Sequence, residues 1–253
     1  MCTLLLRLAA PLQAWGVGSK FSRRTTNREP TKSGVIGLVA AALGYSRNDS
    51  PEELSRLGFA VRIDQPGRII KDFHTAHTFG KRKRTSFISY RYYLSDAIFL
   101  VGLAGSRDLL EKIEAALQNP VFPIALGRRS CPPAPPFVPG IVPKPLPEAL
   151  REAPWQAADW YKKKQPEEVS LEIVRDAAFG EPYGFEVRDL PLSFSQTYRR
   201  YAFRSVVSEP QAVLMKNEST RDAQEDETHA DGQTQTEHDA FGELEAYDVP
   251  IQG

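Results

Sequence analysis

The sequence predicts an α+β fold with a ferredoxin-like βαββαβ core, a protruding β-hairpin and a smaller, mostly β C-terminal part. Strand-like and helix-like apolar spacings alternate through the first half of the chain in the order strand, helix, strands, helix, strand. Eight prolines among residues 132–147 then interrupt this pattern. We therefore expect a core at 1–131, a proline-rich connection with a small β-rich part at 132–216, and a tail at 217–253.

The first elements follow from the spacing of apolar residues. Residues 3–9 alternate, which places Leu4, Leu6 and Leu8 on one face of a strand. Apolar residues at helical spacing follow from Ser33, and Gly44 is a suitable C-terminal stop. Residues 59–64 form a short candidate strand.

A hairpin, a strand, a helix and a closing strand follow. Residues 69–94 are typical of two long strands around a polar tip, and 97–103 of another strand. Ser106 is a suitable N-cap for an amphipathic helix that ends before Pro120. Residues 121–126 then supply the last strand of the unit.

The remainder is predicted from composition and pattern. Half of residues 132–147 are proline, so we expect extended chain there rather than helix or central strand. Residues 169–175, 185–190 and 198–207 are candidate strands. From Asn217 onward the chain offers little to bury, which predicts disorder.

A formal net charge of zero conceals two opposite halves. The segment 217–253 holds 11 of the 32 acidic residues and one of the 32 basic ones, a charge of −10, which leaves +10 on the preceding residues. The positive charge on residues 1–216 attracts polyanions, while the acidic tail is typical of solvated chain. The two cysteines exclude a disulfide framework and a cysteine-only zinc site. Without a signal peptide or apolar span, we expect a cytoplasmic protein with no membrane contact.

The hairpin tip is the strongest candidate for nucleic-acid binding. Four consecutive cations, Lys81, Arg82, Lys83 and Arg84, repel one another unless an anion meets them. On the returning strand, Phe87, Ser89, Arg91 and Tyr93 share a face suited to phosphates and unstacked bases. The opposite face, with Ile88, Tyr90, Tyr92 and Leu94, is predicted to pack. The alternative is a solvated tip that serves only solubility.

Two further basic segments fit phosphate groups. Arg23, Arg24, Arg28 and Lys32 lead to the start of the first helix, whose free N–H groups favour an anion. This segment is not typical of a loop that binds a nucleoside triphosphate, because Asn27 stands where such a loop needs glycine. The turn at 127–130 offers Arg128, Arg129 and Ser130 to a phosphate. Pairing of these arginines with nearby carboxylates is the alternative.

His74 and His77 are the candidates for catalysis or metal binding. Two histidines can act as acid and base in RNA cleavage. On a strand, however, positions three apart face opposite ways, and no third ligand stands at a familiar spacing. We therefore predict no catalytic residue, no metal and no cofactor, and treat His74 as a polar contact. A metal-independent endoribonuclease remains the alternative.

Four stretches in series resemble the Cas-five family of CRISPR-associated proteins, in its type I-E branch. They are residues 6–16, 30–38, 72–75 and 126–132, within a resemblance that spans about 3–210. The resemblance implies an RRM-like, RAMP-type fold, with a hairpin thumb at about 70–94. It further implies a Gln13–Trp15 segment, a Lys32–Ser33 helix start and a 127–131 loop near the bound RNA.

The function implied by this resemblance is that of a non-catalytic subunit of Cascade, the surveillance complex of antiviral defence. The protein would cap the 5′ handle of the CRISPR RNA, beside the backbone subunit CasC and the large subunit CasA, and meet target DNA only through the complex. In a type I-C-like branch the protein instead cleaves precursor CRISPR RNA. The predicted RNA-binding residues are Gln13, Trp15, Arg23, Arg24, Arg28, Lys32, Ser33, His74, Lys81, Arg82, Lys83, Arg84, Arg91, Arg128, Arg129 and Ser130.

Overall fold

The computed structural model describes residues 2–16, 22–78, 86–178, 180–182 and 184–219. These residues form a mixed α+β fold that is mostly sheet, as the sequence predicts. The strands are β1 (Cys2–Ala9), β2 (Leu12–Gln13), β3 (Arg23–Arg24), β4 (Gly58–Gln65), β5 (Arg68–His77), β6 (Ser86–Ser95), β7 (Ile98–Gly105), β8 (Gly140–Val142), β9 (Glu168–Asp176), β10 (Phe185–Ser193) and β11 (Arg200–Lys216). The helices are α1 (Lys32–Ala42), α2 (Glu52–Ser55), α3 (Arg107–Gln118), α4 (Leu146–Glu152) and α5 (Asp159–Lys162).

Two sheets organise these elements. The larger sheet has seven strands in the order β10-β11-β9-β4-β7-β1-β8, and every neighbouring pair is antiparallel. The smaller sheet is built on β6, which pairs with β2, β3 and β5. Its β3–β6 pair is parallel, whereas β5 and β6 form the long antiparallel hairpin.

The core lies on both faces of the larger sheet. In β1, Leu4, Leu6 and Leu8 face the cluster formed with α1 and α3, while Leu5 faces a second cluster that includes Leu150 of α4. Each of these leucines is buried, and full burial of one such side chain contributes about 1.5–3 kcal/mol. The alternation predicted for residues 3–9 is therefore confirmed.

The first helix begins and ends close to the predicted residues. Thr31 is its N-cap, and the Thr31 hydroxyl accepts a hydrogen bond from the Gly34 N–H at 3.2 Å. Gly44 has a φ of +82°, the left-handed conformation that commonly follows the end of a helix. The strands predicted at 59–64, 69–94 and 97–103 and the helix after Ser106 are also present, although the Ser106 side chain makes no capping hydrogen bond.

The prediction of a strand at 121–126 is wrong. Pro120 and Pro123 provide no N–H for a ladder, and the amides of Val121 and Phe122 donate instead to the carbonyls of Ala42 and Ala41, which end α1. The edge strand beside β1 is β8, which lies inside the proline-rich stretch. Apart from this edge strand and the first two residues of α4, residues 132–147 contain no regular element, as predicted.

The C-terminal strands continue the larger sheet. Those predicted at 169–175, 185–190 and 198–207 correspond to β9, β10 and the first half of β11. Because β9 pairs with β4, strands from both sides of residue 131 share one sheet, and the proposed boundary there stays a prediction. Of the acidic tail, only Asn217–Ser219 lie within the described residues. None of the helices in the described ranges is long and apolar enough to span a bilayer.

Candidate nucleic-acid interface

The β5–β6 hairpin projects from the body with both faces open in its outer half. Phe73, on β5, is 65% exposed, and Phe87 and Ile88 are also exposed on β6. Tyr93 and Leu94, near the end of β6, are buried and join the core. The expectation that Ile88 and Tyr90 pack is therefore wrong, because no other described element covers this part of the hairpin.

The hairpin has one aromatic face and one polar face. On the aromatic face, Phe73 pairs across the strands with Tyr90, and the Lys71 ammonium lies 4.3 Å from the centroid of the Tyr90 ring. The opposite face, which we call the polar face, has Asp72 opposite Arg91 and His74 opposite Ser89, and it also carries the exposed ring of Phe87. Exposed rings with a cation above them suit the stacking of unpaired bases.

The two histidines occupy opposite faces, as their spacing predicts. His74 Nε2 lies 2.7 Å from Asp72 Oδ2 on the polar face, and His77 Nδ1 lies 2.9 Å from Ser86 Oγ on the aromatic face. They cannot attack and protonate the same phosphodiester from these positions. Among the described residues, no group of three His, Cys, Asp or Glu side chains could hold a metal ion.

Gln13 and Trp15 lie beneath the hairpin base and are buried. Gln13 Nε2 donates to the carbonyls of Leu8 (3.1 Å) and Ala97 (2.7 Å), and its Oε1 accepts from Trp15 Nε1 at 3.0 Å. These bonds use both N–H groups of the Gln13 amide and the indole N–H of Trp15. Their burial does not support the predicted direct contact of these side chains with RNA; it indicates that they position the chain around them.

The 127–130 loop meets this segment through its backbone. The Ala14 N–H donates to the Leu126 carbonyl at 3.1 Å. Gly127 has a φ of +86°, and a Cβ on it would lie 1.6 Å from the Ala14 carbonyl oxygen. Glycine is therefore required at this position, and the contact holds the loop against the hairpin base.

Arg128 is the central cation of the site. Its guanidinium lies 4.3 Å from the centroid of the Tyr93 ring, and Nη2 donates to the carbonyl of Arg24 at 3.0 Å. Arg128 Nη1 is buried without a hydrogen-bond partner among the described residues, and the same holds for Arg91 Nε. An unpaired buried donor costs about 1–3 kcal/mol, which an incoming acceptor would recover.

The surface around Arg128 brings together arginines from distant parts of the sequence. In the β3–β6 pair, Arg23 is opposite Tyr90 and Arg24 is opposite Arg91. Arg23 also lies over the ring of Tyr92, 5.4 Å from its centroid. The exposed Arg129 and Ser130 follow Arg128 in its loop, and Arg28 is exposed on the segment that leads to α1.

Several polar groups at the start of α1 are paired within the protein. The Lys32 ammonium lies 2.8 Å from Asp176, and the Lys32 N–H donates to Asp189 at 2.7 Å. The Gly34 N–H donates to the Thr31 hydroxyl, and Ser33 is half-buried. The N–H groups of Lys32 and Gly34 and the Lys32 ammonium, which were expected to be free, are therefore already paired within the protein.

The four cations predicted at the hairpin tip lie outside the described residues; they are Lys81, Arg82, Lys83 and Arg84.

Burial raises the pKa of the Cys131 thiol, although a hydrogen bond from Ser130 and the charge of Arg128 act in the opposite direction. A buried thiol with a raised pKa is a poor nucleophile.

The stacking of Arg128 on Tyr93 and of Arg23 on Tyr92 was missed by sequence reasoning. The three tyrosines of β6, Tyr90, Tyr92 and Tyr93, were visible in the sequence, but the parallel β3–β6 pairing joins segments more than sixty residues apart. No local pattern indicates which arginine meets which ring.

Comparison with known proteins shows the family of this chain. Residues 3–207 match the protein family described as "CRISPR-associated protein (Cas_Cas5)". The chain belongs to the Cas-five family. This membership was predicted from the four motifs, and three of them contribute to the site around the hairpin base.

Individual relatives of this Cas-five protein extend the comparison. It is 37% identical over 148 residues to the "CRISPR system Cascade subunit CasD" of Escherichia coli (strain K12), a match that covers 51% of this chain and 66% of that relative, slightly less than two thirds. A solved structure described as "Crystal structure of Cas protein" is 40% identical, with a TM-score of 0.65 over 86% of this chain and 96% of the other. A chain of a "CRISPR RNA-guided surveillance complex" is 30% identical, with a TM-score of 0.70 over 87% and 96%.

Proposed function

We propose that this Cas-five protein is a non-catalytic, RNA-binding subunit of a type I-E Cascade surveillance complex, in which it caps the 5′ handle of the CRISPR RNA. The observation that carries the proposal is a pair of buried donors at the hairpin base, Arg128 Nη1 and Arg91 Nε, which have no hydrogen-bond partner among the described residues. The kinship with a Cascade subunit and with a chain of an RNA-guided surveillance complex supports it.

A phosphate group is the acceptor that best fits these donors. Tyr93 orients the Arg128 guanidinium from below, and the Arg24 carbonyl fixes one of its nitrogens. A planar guanidinium held in this way loses little freedom when it binds an anion. Hydrogen bonds to charged groups contribute about 1.5–3 kcal/mol each, so each of these donors would strengthen the binding of a phosphate.

The hairpin supplies the second half of the interface. Its aromatic face, with Phe73, Tyr90 and the cation of Lys71, is suited to bases splayed out from the phosphates at the hairpin base. In RNA-guided complexes, base pairing reads the target while protein holds the guide through its backbone and shape. A thumb-like hairpin with a face suited to base stacking could bind the guide RNA in this way.

The same geometry favours binding over cleavage. His74 is paired with Asp72 and His77 with Ser86, on opposite faces of the hairpin, and Cys131 is buried. General acid–base cleavage requires two groups directed at one phosphodiester. The endoribonuclease alternative is therefore the less favoured function.

We also propose that β1, α1, β4, β7, α3 and β8 form a ferredoxin-like, RRM-like unit of the RAMP type. The support is the antiparallel strand order β4-β7-β1-β8, which is second, third, first and fourth in the chain order of the unit. In the complex, we expect the backbone subunit CasC and the large subunit CasA to flank this protein in the cytoplasm, with target DNA reached through them.

The decisive experiment incubates the full-length protein with labelled precursor CRISPR RNA that contains one full repeat, in the absence of divalent metal. We expect retention of the RNA without cleavage, and weaker retention of a scrambled repeat. Arg128→Ala should weaken binding about tenfold or more, since a charged hydrogen bond is worth about 1.5–3 kcal/mol. The control Arg107→Ala removes an exposed arginine paired with Glu111 on α3.

Two results would contradict the proposal. Cleavage at one defined bond that disappears in a His74→Ala/His77→Ala variant would assign the protein to precursor processing. Equal binding by the Arg128→Ala and Arg107→Ala variants would show that the buried donors do not hold the RNA.

A further inference from the structure

The aromatic face of the hairpin exposes large apolar side chains in its outer half. Residues opposite each other in an antiparallel ladder share a face. The members of the aromatic face are therefore Ile69, Lys71, Phe73, Thr75 and His77 of β5 and Ser86, Ile88, Tyr90, Tyr92 and Leu94 of β6. Ile69 is 48% exposed, Phe73 65% and Ile88 53%. An exposed apolar surface of this kind marks a binding site.

The charged groups on the aromatic face are cations. The Lys71 ammonium lies 4.3 Å from the centroid of Tyr90, and the Arg23 guanidinium of β3 lies 5.4 Å from the centroid of Tyr92. Within the described residues of β5 and β6, this face carries no acidic residue, because Asp72 belongs to the polar face. A ligand that matches the aromatic face therefore combines negative charge with apolar or planar groups.

Residues 239–251 of this same chain have that combination. Four carboxylates stand among four large apolar side chains, with no lysine or arginine in the segment. In chain order they are Asp239, Phe241, Glu243, Leu244, Glu245, Tyr247, Asp248 and Ile251. Acidic C-terminal tails often act as interaction segments. The segment lies outside the described residues, so its match to the aromatic face is one of charge and composition.

The chain enters the tail beside the aromatic face. The buried Asn217 amide donates to backbone carbonyls near the end of α5, including that of Gln165 at 3.1 Å. Gln165 lines a cavity of about 770 Å³, and Ile69 and Leu94 of the aromatic face line the same cavity. The residue that anchors the tail and the inner end of the aromatic face are therefore close neighbours.

The sheet register agrees with this placement. Lys216, the last residue of β11, is opposite Glu168 of β9, and Ile173 of β9 is opposite Arg62 of β4. Glu168 is thus level with about residue 67, where the hairpin begins. Since only β9 separates β11 from β4, the tail starts about 10 Å to the side of the hairpin base.

The linking length is sufficient, and the cavity directs the acidic segment over the hairpin. Residues 218–238 can span about 70 Å when extended, much more than the length of β5. The lining of the cavity includes three carboxylates, Asp64, Glu29 and Glu172, against one arginine, Arg28. This negative excess repels an acidic segment, whereas the cations of the aromatic face attract it.

We propose that the aromatic face binds residues 239–251 of the same chain, and that CRISPR RNA displaces them. The carboxylates of the segment pair with Lys71 and Arg23, and its apolar side chains lie against the rings of Phe73 and Tyr90. Because the segment is tethered to the protein, its effective concentration is of the order of mM, so weak contacts are enough to cover the face.

The consequence is selectivity for the RNA that binds at the hairpin base. A strand that uses only the aromatic face must displace the tail without further contacts. An RNA that also binds Arg128 gains the contacts that offset this displacement. The displacement by RNA rests on the proposed function, whereas the contact between tail and hairpin does not.

The first test measures the tail contact without RNA. Full-length protein is digested briefly with a glutamyl endopeptidase, and mass spectrometry follows cleavage after Glu243 and Glu245. The test variant removes one cation, one isoleucine and one phenylalanine from the aromatic face: Ile69→Ala/Lys71→Ala/Phe73→Ala. The matched control removes the same three kinds of exposed side chain from the polar face: Arg68→Ala/Ile70→Ala/Phe87→Ala.

We expect the tail of the test variant to be cleaved about fivefold faster than that of the control, because cleavage follows the population of unbound segment. This factor corresponds to a segment that is bound for about 80% of the time in the original protein. The rate in the original protein should not depend on protein concentration, since the contact is intramolecular.

The second test leaves the hairpin and the rest of the body unchanged. It compares two tail variants that each replace two aspartates by asparagine and two glutamates by glutamine. The test variant is Asp239→Asn/Glu243→Gln/Glu245→Gln/Asp248→Asn, and the control is Asp222→Asn/Glu225→Gln/Asp226→Asn/Glu227→Gln. By fluorescence anisotropy with labelled repeat RNA, we expect the test variant to bind about fivefold more tightly. The difference should shrink as salt screens the carboxylates.

The outcomes separate this proposal from the proposed function. Equal cleavage of the two hairpin variants overturns the tail contact, and protection that grows with protein concentration overturns it in favour of the tail of a second copy. Equal RNA binding by the two tail variants overturns the displacement by RNA. If Arg128→Ala leaves repeat-RNA binding intact while the aromatic-face variant is still cleaved faster, the proposed handle site fails and the tail contact stands.

Discussion

The carbonyl oxygen of Ala14 occupies the space into which any side chain at residue 127 would extend. A Cβ on Gly127 would lie 1.6 Å from this oxygen, and the glycine φ of +86° is unfavourable for other residues. This contact fixes the loop that carries Arg128 against the segment that holds Gln13 and Trp15. The geometry of the candidate RNA site thus depends on a residue that has no side chain.

Gly127→Ala should therefore destabilise the protein strongly. Left-handed backbone costs a non-glycine residue about 1–2 kcal/mol, and displacement of the Ala14 backbone adds to this, so we expect a loss of about 3 kcal/mol or more. The control is Gly180→Ala, at a φ of +77° with no described atom within 4 Å of the added Cβ, which isolates the conformational cost. Urea unfolding of both variants measures the difference, and equal losses would mean that the loop moves away from Ala14 without cost.

The hydrogen bond between Gln13 and Trp15 provides a second test. Gln13→Leu removes the partner of the Trp15 indole and two hydrogen bonds to backbone carbonyls, so we expect a loss of about 2–4 kcal/mol. Trp15→Phe removes the indole N–H from the same network. A double-mutant cycle by urea unfolding should give a coupling energy of about 1 kcal/mol. Strict additivity would show that the side-chain bond contributes nothing.

The fold was largely predictable where local pattern decides the structure. Alternation in β1 and helical spacing in α1 are properties of a few neighbouring residues, so the sequence indicates them directly. The strand beside β1 was misplaced because apolar residues at 121–126 suggested a ladder. The amides of Val121 and Phe122 instead donate to the last carbonyls of α1. The edge strand that the structure has, Gly140–Val142, is a three-residue strand between prolines.

The site was predictable in its residue types but less so in its contacts. Lys32 and Arg128 are both cations in motifs that the family resemblance marked. The structure pairs Lys32 with Asp176, which is 144 residues away, and gives one nitrogen of Arg128 no partner within the described part of the chain. Such pairings depend on strand order across the sheet, and a single sequence does not encode them in any local pattern.

The carboxylate of Asp189 should be essential for stability. Its side chain is fully buried and accepts hydrogen bonds from the Lys32 N–H at 2.7 Å and from Arg204 Nε at 2.6 Å. Asp189→Ala leaves a largely buried guanidinium and a helix N–H without this acceptor, so we expect a loss of about 3–5 kcal/mol. The control Glu52→Ala breaks an exposed pair with Arg56, worth about 1 kcal/mol or less.

Urea unfolding at neutral pH compares these two variants. A small loss at Asp189, similar to that at Glu52, would show that Asp176 alone suffices for Arg204. It would also reopen the start of α1 as a site where an external anion could bind.

Glu29 predicts a pH dependence of the opposite sign to that of most carboxylates. Burial raises the pKa of the Glu29 carboxyl, and the charge of Glu172 raises it further, while Arg204 opposes them. Between the unfolded pKa and this higher folded pKa, the native state holds more protons than the unfolded state. The free energy of unfolding therefore falls as pH rises through this interval, and the full penalty remains above it.

Glu29→Gln removes that penalty. We expect the variant to be more stable than the original protein at about pH 7, and the gain to vanish at about pH 3, where the carboxyl is protonated in both states. Urea unfolding at the two pH values measures it, with the exposed Glu148→Gln as the control. A gain of equal size at both pH values would assign the effect to packing of the amide, because ionisation of Glu29 contributes only where the carboxyl is charged.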